Sequence, residues 1–179
     1  MNITILVPTY NEIENIDLLL NQIDGEINKL QPDHKFEIMF IDNNSNDGTQ
    51  DKLKEIANQR SEIKVILNKK NFGPFRSPFY GLMQIKNDAG IVIPADMQVP
   101  IDVIPKLIKK LERGYDTILL KRKNIDETFL MRFFRSIFYK IINKFSENKL
   151  ISHATGDGIY TSYAINQLKK FYDPYPFTR

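Results

Sequence analysis

Four short apolar runs alternate with longer stretches of helical periodicity along the first hundred residues. The runs are Ile3 to Val7, Phe36 to Ile41, Ile63 to Leu67 and Ile91 to Ile93. Runs of this length, rich in β-branched residues, are typical of buried strands. Strands that alternate with helices predict a mostly parallel sheet with right-handed crossovers and helices on both faces. The sequence therefore predicts an α/β fold.

Apolar spacing and boundary signals predict the helices between these strands. The first helix is predicted to begin at Asn11, because Glu14 stands three residues later as in a capping box. Further helices are predicted over about Thr49 to Arg60, over about Ser77 to Lys86, and from the Pro100 to Pro105 region to about Arg113, followed by a strand over Thr117 to Leu120.

The composition limits which class of protein this chain can be and which kinds of site it can hold. The chain has 179 residues, 42% of them apolar, and no cysteine. A chain of this length is predicted to form one domain. The absence of cysteine excludes thiol catalysis, cysteine-zinc sites and disulfides. No apolar window approaches the 18 residues of a membrane-spanning helix, and the N-terminus does not resemble a signal peptide.

Charge is divided unevenly between the two parts of the sequence. Residues 1–100 carry 10 Lys and Arg against 14 Asp and Glu, a net charge of −4, whereas residues 101–179 carry 15 against 8, a net charge of +7. The second part therefore has the electrostatic character to meet an anionic partner or surface.

Polar residues follow three of the predicted strands at once. The sequences at these points are PTYNE, DNNSNDG and PADMQ. In open α/β sheets ligands bind beyond the carboxyl ends of the strands, so the three segments are predicted to share one site. Dinucleotide and phosphate-loop glycine motifs, the GxSxG elbow and the HExxH helix are absent from the sequence, and His34 and His153 are isolated. These exclusions leave one kind of site, in which carboxylates and amides bind a sugar, a ribose or a hard divalent cation.

Four segments resemble motifs of one enzyme family. They are VPTYNE from Val7, IDNNSNDGT from Ile41, PADMQVP from Pro94 and ATGDGIYTSYAI from Ala154. Together they resemble glycosyltransferase family 2, the inverting GT-A enzymes, and within it the branch that transfers a hexose to a dolichyl or undecaprenyl phosphate. The resemblance implies a single GT-A catalytic domain over residues 1–179, with a Rossmann-like, mostly parallel sheet.

The first two segments are implied to hold the nucleotide. In the family the corner after the first strand holds the nucleobase and ribose, which points to Pro8, Tyr10 and Glu12. The second segment is similar to V-D-D-x-S-x-D-G-T, whose carboxylate pair faces the nucleoside, which points to Asp42 and Asn43. Asn43 replaces the second aspartate, so it loses a charge and gains hydrogen-bond donors. Ser45, Asp47 and Gly48 are interpreted as turn and cap residues.

The third and fourth segments are implied to carry the chemistry. PADMQVP is similar to D-A-D-L-Q-x-P-P, which makes Asp96 catalytic and places Asp96 and Gln98 near a Mg²⁺ or Mn²⁺ ion and the diphosphate. Pro94 stands where the first aspartate is usual, so weaker metal binding is expected, although one carboxylate and a diphosphate suffice for such an ion. Asp157 matches the acidic residue assigned as the acceptor-activating base.

The role of Asp157 depends on the acceptor. A sugar hydroxyl needs a positioned base, which contributes about 10²–10⁴ in rate. A phosphate monoester, with a second pKa near ~6, is already largely dianionic at neutral pH. For a lipid phosphate, Asp157 would mainly orient the sugar, the acceptor or the metal.

The basic second part favours a lipid phosphate. Residues 128–146 combine aromatic and aliphatic residues with Arg and Lys and are predicted to form an amphipathic helix at the membrane interface, although packing against the sheet is the open alternative. By resemblance, Arg122 and Arg132 grip the acceptor phosphate. Lys69, Lys70, Asn71 and Gly73 resemble a loop beside the diphosphate, with a solvated turn as the alternative. A role in binding nucleic acid is disfavoured, because the nucleotide and metal segments have no place in it.

We therefore predict an inverting, metal-dependent hexosyltransferase of cell-envelope glycan synthesis, with a nucleotide diphosphate sugar as donor and a polyprenyl phosphate as acceptor. The alternatives are a family 2 transferase with a glycan hydroxyl acceptor and a catalytically weakened nucleotide-sugar-binding module. The sequence stops at YPFTR, similar to a Y-P-x-x-R-G motif that continues further in the family. The native protein is thus expected to be longer and anchored at the cytoplasmic face of a membrane.

Overall fold

The computed structural model describes residues 1–121 and 154–170. The described residues form six strands and five helices. In chain order these are β1 (Asn2–Thr9), α1 (Ile16–Asn28), β2 (Lys35–Asp42), α2 (Thr49–Gln59), β3 (Ile63–Leu67), α3 (Gly73–Gln84), β4 (Ala89–Val92), α4 (Val103–Leu111), β5 (Thr117–Lys121), β6 (Ala154–Thr161) and α5 (Ser162–Leu168).

The strands form one sheet in the order β3-β2-β1-β4-β6-β5. The first four of these are mutually parallel, whereas β6 runs antiparallel to both β4 and β5. The predicted mostly parallel sheet is confirmed. The strand order reverses between β1 and β4, because the chain moves outward from β1 through β2 to β3 and then returns to the other side of β1. Such a reversal opens a crevice at the carboxyl ends of the two central strands.

Alternating side chains of the strands feed two apolar layers, one on each face of the sheet. Ile3, Ile5 and Val7 of β1 pack with the buried faces of α1 and α4, and Leu6 packs on the opposite face with Leu82 of α3. These β1 residues are fully buried. The predicted placement of helices on both faces is therefore confirmed, and burial on both faces explains why the strands appear in the sequence as nearly continuous apolar runs.

Two helices begin elsewhere than predicted. Helix α1 begins at Ile16, not at Asn11. Asn11 has a positive φ of 57°, and its side-chain oxygen accepts a hydrogen bond from the backbone N–H of Asn46 instead of capping a helix. Helix α3 begins at Gly73, four residues before the predicted start, with a proline in its first turn. Proline is favoured there because its fixed φ suits a helix and its missing N–H is not needed.

Several predictions fall on residues outside the described ranges. These are the amphipathic helix over residues 128–146, the acceptor-phosphate ligands Arg122 and Arg132, and the position of His153. Within the described ranges, none of the helices combines the length and the hydropathy that crossing a bilayer requires.

Candidate functional site

A cleft of about 400 Å³ lies at the carboxyl ends of the central strands. It is lined by residues from the ends of β1, β2 and β4, from the N-terminus of α3, and from β6. The lining residues are Pro8, Thr9, Tyr10, Glu12, Asn43, Gly73, Pro74, Phe75, Ser77, Pro78, Pro94, Ala95, Asp96 and Asp157. This is the position at which the sheet order reverses, so the topology places the cleft where α/β proteins bind ligands.

Six of the predicted site residues line this one cleft. They are Pro8, Tyr10, Glu12, Asn43, Asp96 and Asp157. Asp42 and Gln98 are outside the set of described residues that line it. Their roles as nucleotide and metal ligands stay predictions, as do the roles of the six.

The corner that follows β1 is fastened to the turn that follows β2. Four hydrogen bonds join them: Asn11 N–H to Ser45 Oγ (2.8 Å), Glu12 N–H to Thr49 Oγ1 (3.0 Å), Ile13 N–H to Asp47 Oδ2 (3.1 Å) and Asn46 N–H to Asn11 Oδ1 (3.0 Å). The segment DNNSNDGT thus supplies three acceptors and one donor that hold the corner in its turn conformation beside the cleft. This satisfies backbone donors that a helix beginning at Asn11 would have left without partners.

Asp47 and Asp42 are both used within this turn. Asp47 Oδ1 accepts hydrogen bonds from the Thr49 backbone N–H (3.0 Å) and hydroxyl (2.6 Å). Burial raises the Asp47 pKa, but the hydrogen bonds from Thr49 and Ile13 outweigh it and lower the pKa below its ordinary value. Asp42 is fully buried and accepts hydrogen bonds from the backbone and hydroxyl of Ser45. The structure agrees with the interpretation of Ser45 and Asp47 as turn residues.

Asn43 lies at the base of the cleft and is only 6% exposed. Its amide nitrogen donates to Asn71 Oδ1 (2.8 Å) and to the Gly73 carbonyl (3.3 Å). Its amide oxygen accepts from the Phe72 N–H (2.9 Å) and from Asn68 Nδ2 (3.3 Å). The side chain therefore uses two donors and two acceptor positions, which is the full capacity of an asparagine. Three of the four partners belong to the segment that joins β3 to α3, and the fourth, Gly73, is the first residue of α3.

Asp96 follows β4 and is half-buried at the cleft. Its Oδ1 accepts the backbone N–H of Gln98 (3.0 Å), and Met97 between them has a positive φ of 59°. The described ranges hold no group of three or more His, Cys, Asp or Glu side chains that could bind a metal. Asp96 nevertheless fits a hard divalent cation, because such an ion uses one or two carboxylates and completes its shell with phosphate oxygens and water.

Asp157 reaches the cleft from β6, which the sequence did not reveal as a strand. Its neighbour Tyr160 is buried, and the Tyr160 hydroxyl donates to the Gly156 carbonyl (2.7 Å). Burial raises the pKa of Tyr160, and the negative charge of Asp157 raises it further. The buried phenol thus remains protonated and keeps its hydrogen bond to the backbone directly before Asp157.

Gly158 stands where the close approach of β5 leaves no room for a side chain. Its φ is +146°, and a Cβ atom there would lie 2.0 Å from the carbonyl oxygen of Ile118 on β5. Real Cβ atoms do not approach a backbone oxygen so closely. A glycine is therefore required for β5 to pair closely with β6 beside the site.

The β3–α3 connection also borders a second cavity, of about 490 Å³. Its lining residues are Ile66, Leu67, Asn68, Lys69, Phe72, Arg76, Ser77 and Tyr80. Ser77 lines both cavities, and its hydroxyl accepts from Asn68 Nδ2 (2.9 Å). The loop and the first turns of α3 thus separate the two.

Comparison with known proteins gives a match over most of the chain. The family model described as glycosyl transferase family 2 matches residues 4–167. CsbB of Bacillus subtilis (strain 168), which is named as a glycosyltransferase, is 30% identical over 177 residues, 99% of this chain and 53% of its own length. The bactoprenol glucosyl transferase of Shigella phage SfX is 35% identical over 151 residues, 84% of this chain and 49% of its own length. The chain spans about half the length of these relatives.

A solved structure shares the fold. The mannosyltransferase PcManGT from Pyrobaculum calidifontis, in complex with GDP-Man and Mn²⁺, superposes with a TM-score of 0.52 at 24% identity. The match covers 67% of this chain and 35% of that one. At this level of identity the likeness concerns the fold alone.

Proposed function

Because the chain belongs to glycosyl transferase family 2 and has the GT-A fold, we propose that the protein transfers a hexose from a nucleotide diphosphate sugar to a polyprenyl phosphate in cell-envelope glycan synthesis. The observation that carries the proposal is the single cleft in which the β1 corner, Asp96 and Asp157 meet. The name of the SfX relative, a bactoprenol glucosyl transferase, supports a lipid acceptor.

The donor would lie along the corner after β1, where Pro8, Tyr10 and Glu12 line the cleft. Tyr10 is 47% exposed and offers an aromatic face to a base or ribose. Glu12 offers a carboxylate that already accepts a hydrogen bond from Asn15 Nδ2 (2.6 Å). This donor side of the cleft is held rigid by the turn after β2, so little ordering cost is left for the ligand.

Asp96 would hold a Mg²⁺ or Mn²⁺ ion, with Gln98 beside it. When bound, such an ion neutralises the charge that develops on the leaving diphosphate. Asp157 lies on β6, which pairs with β4 on the side away from β1, and it would face the acceptor. A single in-line displacement by the acceptor oxygen breaks the bond from the anomeric carbon to the diphosphate and inverts that carbon. No covalent bond between sugar and protein is needed.

The acceptor phosphate would be drawn by the positive second part of the chain, in which Arg122 and Arg132 are the proposed ligands. Guanidinium groups suit phosphate oxygens because they form two parallel hydrogen bonds. The same charge favours an anionic membrane surface, and we propose the cytoplasmic face as the working location. Interfacial binding by residues 128–146 belongs to this proposal.

Donor binding is tested first, by calorimetry of the full chain with UDP, GDP and their sugars, with Mn²⁺ or with EDTA. We expect one nucleotide to bind, and the Asp96→Asn variant to lose the part of the affinity that depends on Mn²⁺. Asp102→Asn is the matched control, because Asp102 is exposed, pairs with Lys106 (2.7 Å) and should leave affinity unchanged. Equal Mn²⁺ dependence in the wild type and Asp96→Asn would contradict the metal assignment.

Transfer is tested with the protein in vesicles that contain undecaprenyl phosphate, by following labelled sugar into the lipid fraction. With a phosphate acceptor, Asp157→Asn should slow turnover by less than about tenfold. With a hydroxyl acceptor, the same variant should lose about 10²–10⁴ in rate. Absence of transfer to lipid, together with transfer to a glycan that Asp157→Asn abolishes, would replace the lipid by a hydroxyl acceptor.

A further inference from the structure

The loop between β3 and α3, Asn68 to Phe72, is fastened to β2 through one buried side chain. Asn43 bonds to two residues of this loop through its oxygen and to Asn71 and Gly73 through its nitrogen. The loop begins with a backbone bond from the Asn68 N–H to the Asp42 carbonyl (2.9 Å). The Asn43 side chain thus holds in place the loop that separates the two cavities.

The backbone partners fix the orientation of the Asn43 amide. The Phe72 N–H can only donate, so the atom facing it must be an oxygen. The Gly73 carbonyl can only accept, so the atom facing it must be a nitrogen that carries hydrogens. If the amide were rotated by half a turn, its nitrogen would face the donors Phe72 N–H and Asn68 Nδ2. Its oxygen would then face the acceptors Asn71 Oδ1 and the Gly73 carbonyl. An amide, and not a carboxylate, is what this position requires.

We propose that Asn43 is a positioning residue for the donor site: it sets the β3–α3 loop and the start of α3 against the cleft, which Asn43 and Gly73 both line. This inference rests on the proposed function for the identity of the ligand. Lys69 lines the second cavity, and Lys70 Nζ lies 5.2 Å from the centre of the Phe72 ring. Because the Phe72 N–H is bonded to Asn43, the amide also holds the backbone of the residue whose ring Lys70 approaches. Asn43 acts on the nucleotide through this loop and not by reading its base.

Aspartate, the residue that stands at this point in the family pattern, cannot make all of the hydrogen bonds that Asn43 makes. In Asn43→Asp, one carboxylate oxygen still accepts from Phe72 and Asn68. The other would face Asn71 Oδ1 and the Gly73 carbonyl, which are both acceptors. Rotating the Asn71 amide does not repair this, because Asn71 Oδ1 also accepts the Gly73 N–H (2.8 Å). Restoring the family residue should therefore damage the site.

The neighbouring asparagine should respond in the opposite way. Asn71 Oδ1 only accepts hydrogen bonds, from Asn43 Nδ2 and from the Gly73 N–H. An aspartate at position 71 keeps both bonds and strengthens them by its charge. Asn43→Asp and Asn71→Asp thus make the same chemical change at two ends of one hydrogen bond, and only the first removes the donor.

The first experiment measures thermal unfolding of the full chain from about pH 8 to about pH 5 and needs no ligand. At pH 8, Asn43→Asp should lower Tm by about 4–10 °C, and Asn71→Asp should stay within about 2 °C of the wild type. The buried carboxyl that Asn43→Asp introduces would have a raised pKa, so its penalty is complete above that pKa and shrinks as the pH falls through it. Once protonated, this carboxyl can again donate one hydrogen bond. Equal Tm values for Asn43→Asp and the wild type at pH 8 would overturn the proposal.

The second experiment measures affinity for the nucleotide that the wild type binds, with Mn²⁺, at about pH 8 and at about pH 5.5. Asn43→Asp should weaken binding at least about tenfold at pH 8 and recover to within about threefold of the wild type near pH 5.5. Asn44→Asp, an exposed neighbour with a positive φ that aspartate also tolerates, controls for the added charge and should bind normally. An unstable Asn43→Asp that binds with wild-type affinity, or one that binds more tightly, would refute the positioning role.

The outcomes separate this inference from the function it rests on. If the wild type binds no nucleotide, the proposed function fails, while the comparison of Asn43→Asp with Asn71→Asp still decides whether the amide holds the loop. If Asn43→Asp is unfolded at pH 8, folding on acidification supports the proposal, and failure to fold at every pH contradicts it. Asn71→Ala, which removes one partner without adding charge, should then still be folded at pH 8, with a Tm below that of the wild type.

Discussion

Replacing Asp47 by alanine should loosen the corner on which the donor is proposed to lie. The Asp47 carboxylate accepts three hydrogen bonds, from the Thr49 N–H (3.0 Å), the Thr49 hydroxyl (2.6 Å) and the Ile13 N–H (3.1 Å). The side chain is exposed, so water replaces part of what is lost. A cost of about 1–2 kcal/mol in the free energy of unfolding is expected, as for removal of a helix cap. For a chain of this size that lowers Tm by about 2–8 °C.

The measurement is urea unfolding followed by circular dichroism, with two comparison variants. Asp47→Asn keeps one oxygen and can satisfy Thr49 or Ile13 but not both, so it should lose about half as much stability as Asp47→Ala. Asp51→Ala removes an exposed carboxylate that pairs with Lys54 (2.8 Å) one turn further on. An ion pair of that kind contributes less than about 0.5 kcal/mol. Equal stability of Asp47→Ala and Asp51→Ala would contradict a structural role for the Asp47 carboxylate.

The pH dependence gives an independent check on the same carboxylate. Hydrogen bonding lowers the Asp47 pKa from its ordinary value of 3.8. A lowered pKa in the folded state means that the stabilisation is present above the unfolded pKa and is lost as the pH falls through the folded one. The difference between the wild type and Asp47→Ala should hold from about pH 8 to about pH 5 and narrow below about pH 4. A difference that persists unchanged at about pH 3 would show that the carboxylate charge is not involved.

Three further predictions concern the glycines and the buried tyrosine. Gly158→Ala should cost about 3 kcal/mol or more, because its Cβ would lie 2.0 Å from the Ile118 oxygen, and urea unfolding measures this. Gly25→Ala, in the exposed middle of α1 with nothing within 4 Å of the new Cβ, should instead gain about 0.5–1 kcal/mol in the same assay. Tyr160→Phe removes the buried hydrogen bond to the Gly156 carbonyl, at a cost of about 1–3 kcal/mol. It should also lower kcat with little change in donor KM, and an unchanged kcat would mean that the hydroxyl does not position Asp157.

The strands were predictable because burial on both faces leaves a local trace in the sequence. Each of the four parallel strands is a short, nearly unbroken apolar run, and every one of them contains isoleucine. The helix boundaries were less predictable. Asn11 and Glu14 have the spacing of a capping box, but Asn11 bonds to Asn46 of another loop. A pattern of four residues cannot reveal a partner that lies 35 residues away.

The sequence pattern of strand β6 is weaker than that of the parallel strands, because glycines interrupt it. Gly156 and Gly158 break the alternation that would mark a strand, and β6 pairs antiparallel with β4 and β5 instead of continuing the parallel order. The glycine at position 158 has a tertiary cause, the close approach of β5. The sequence showed Asp157 only through resemblance to a family motif. The sheet then explains its placement, since β6 pairs directly with the strand that precedes Asp96.

The site was predictable as a set of residues but not as a network. Strand ends and family motifs identified six residues that line the cleft. The role of Asn43 was not visible, because its partners come from a loop about 30 residues further along whose motif had a solvated turn as its alternative. A substitution that reads as the loss of a ligand charge proves, in three dimensions, to be the gain of two donors for which partners are present.

The pairing of Lys121 with Ala154 has a consequence for how such proteins diversify. The chain leaves β5 and re-enters β6 at facing positions of adjacent strands, so both ends of the intervening segment are anchored side by side whatever its sequence. The entropy of closing a loop grows only with the logarithm of its length. The sheet can therefore accept replacement of that whole segment as an exchangeable cassette. Recombination between relatives at these two points would exchange the segment that carries the proposed acceptor ligands Arg122 and Arg132, while the described strands and the cleft residues before them stay unchanged.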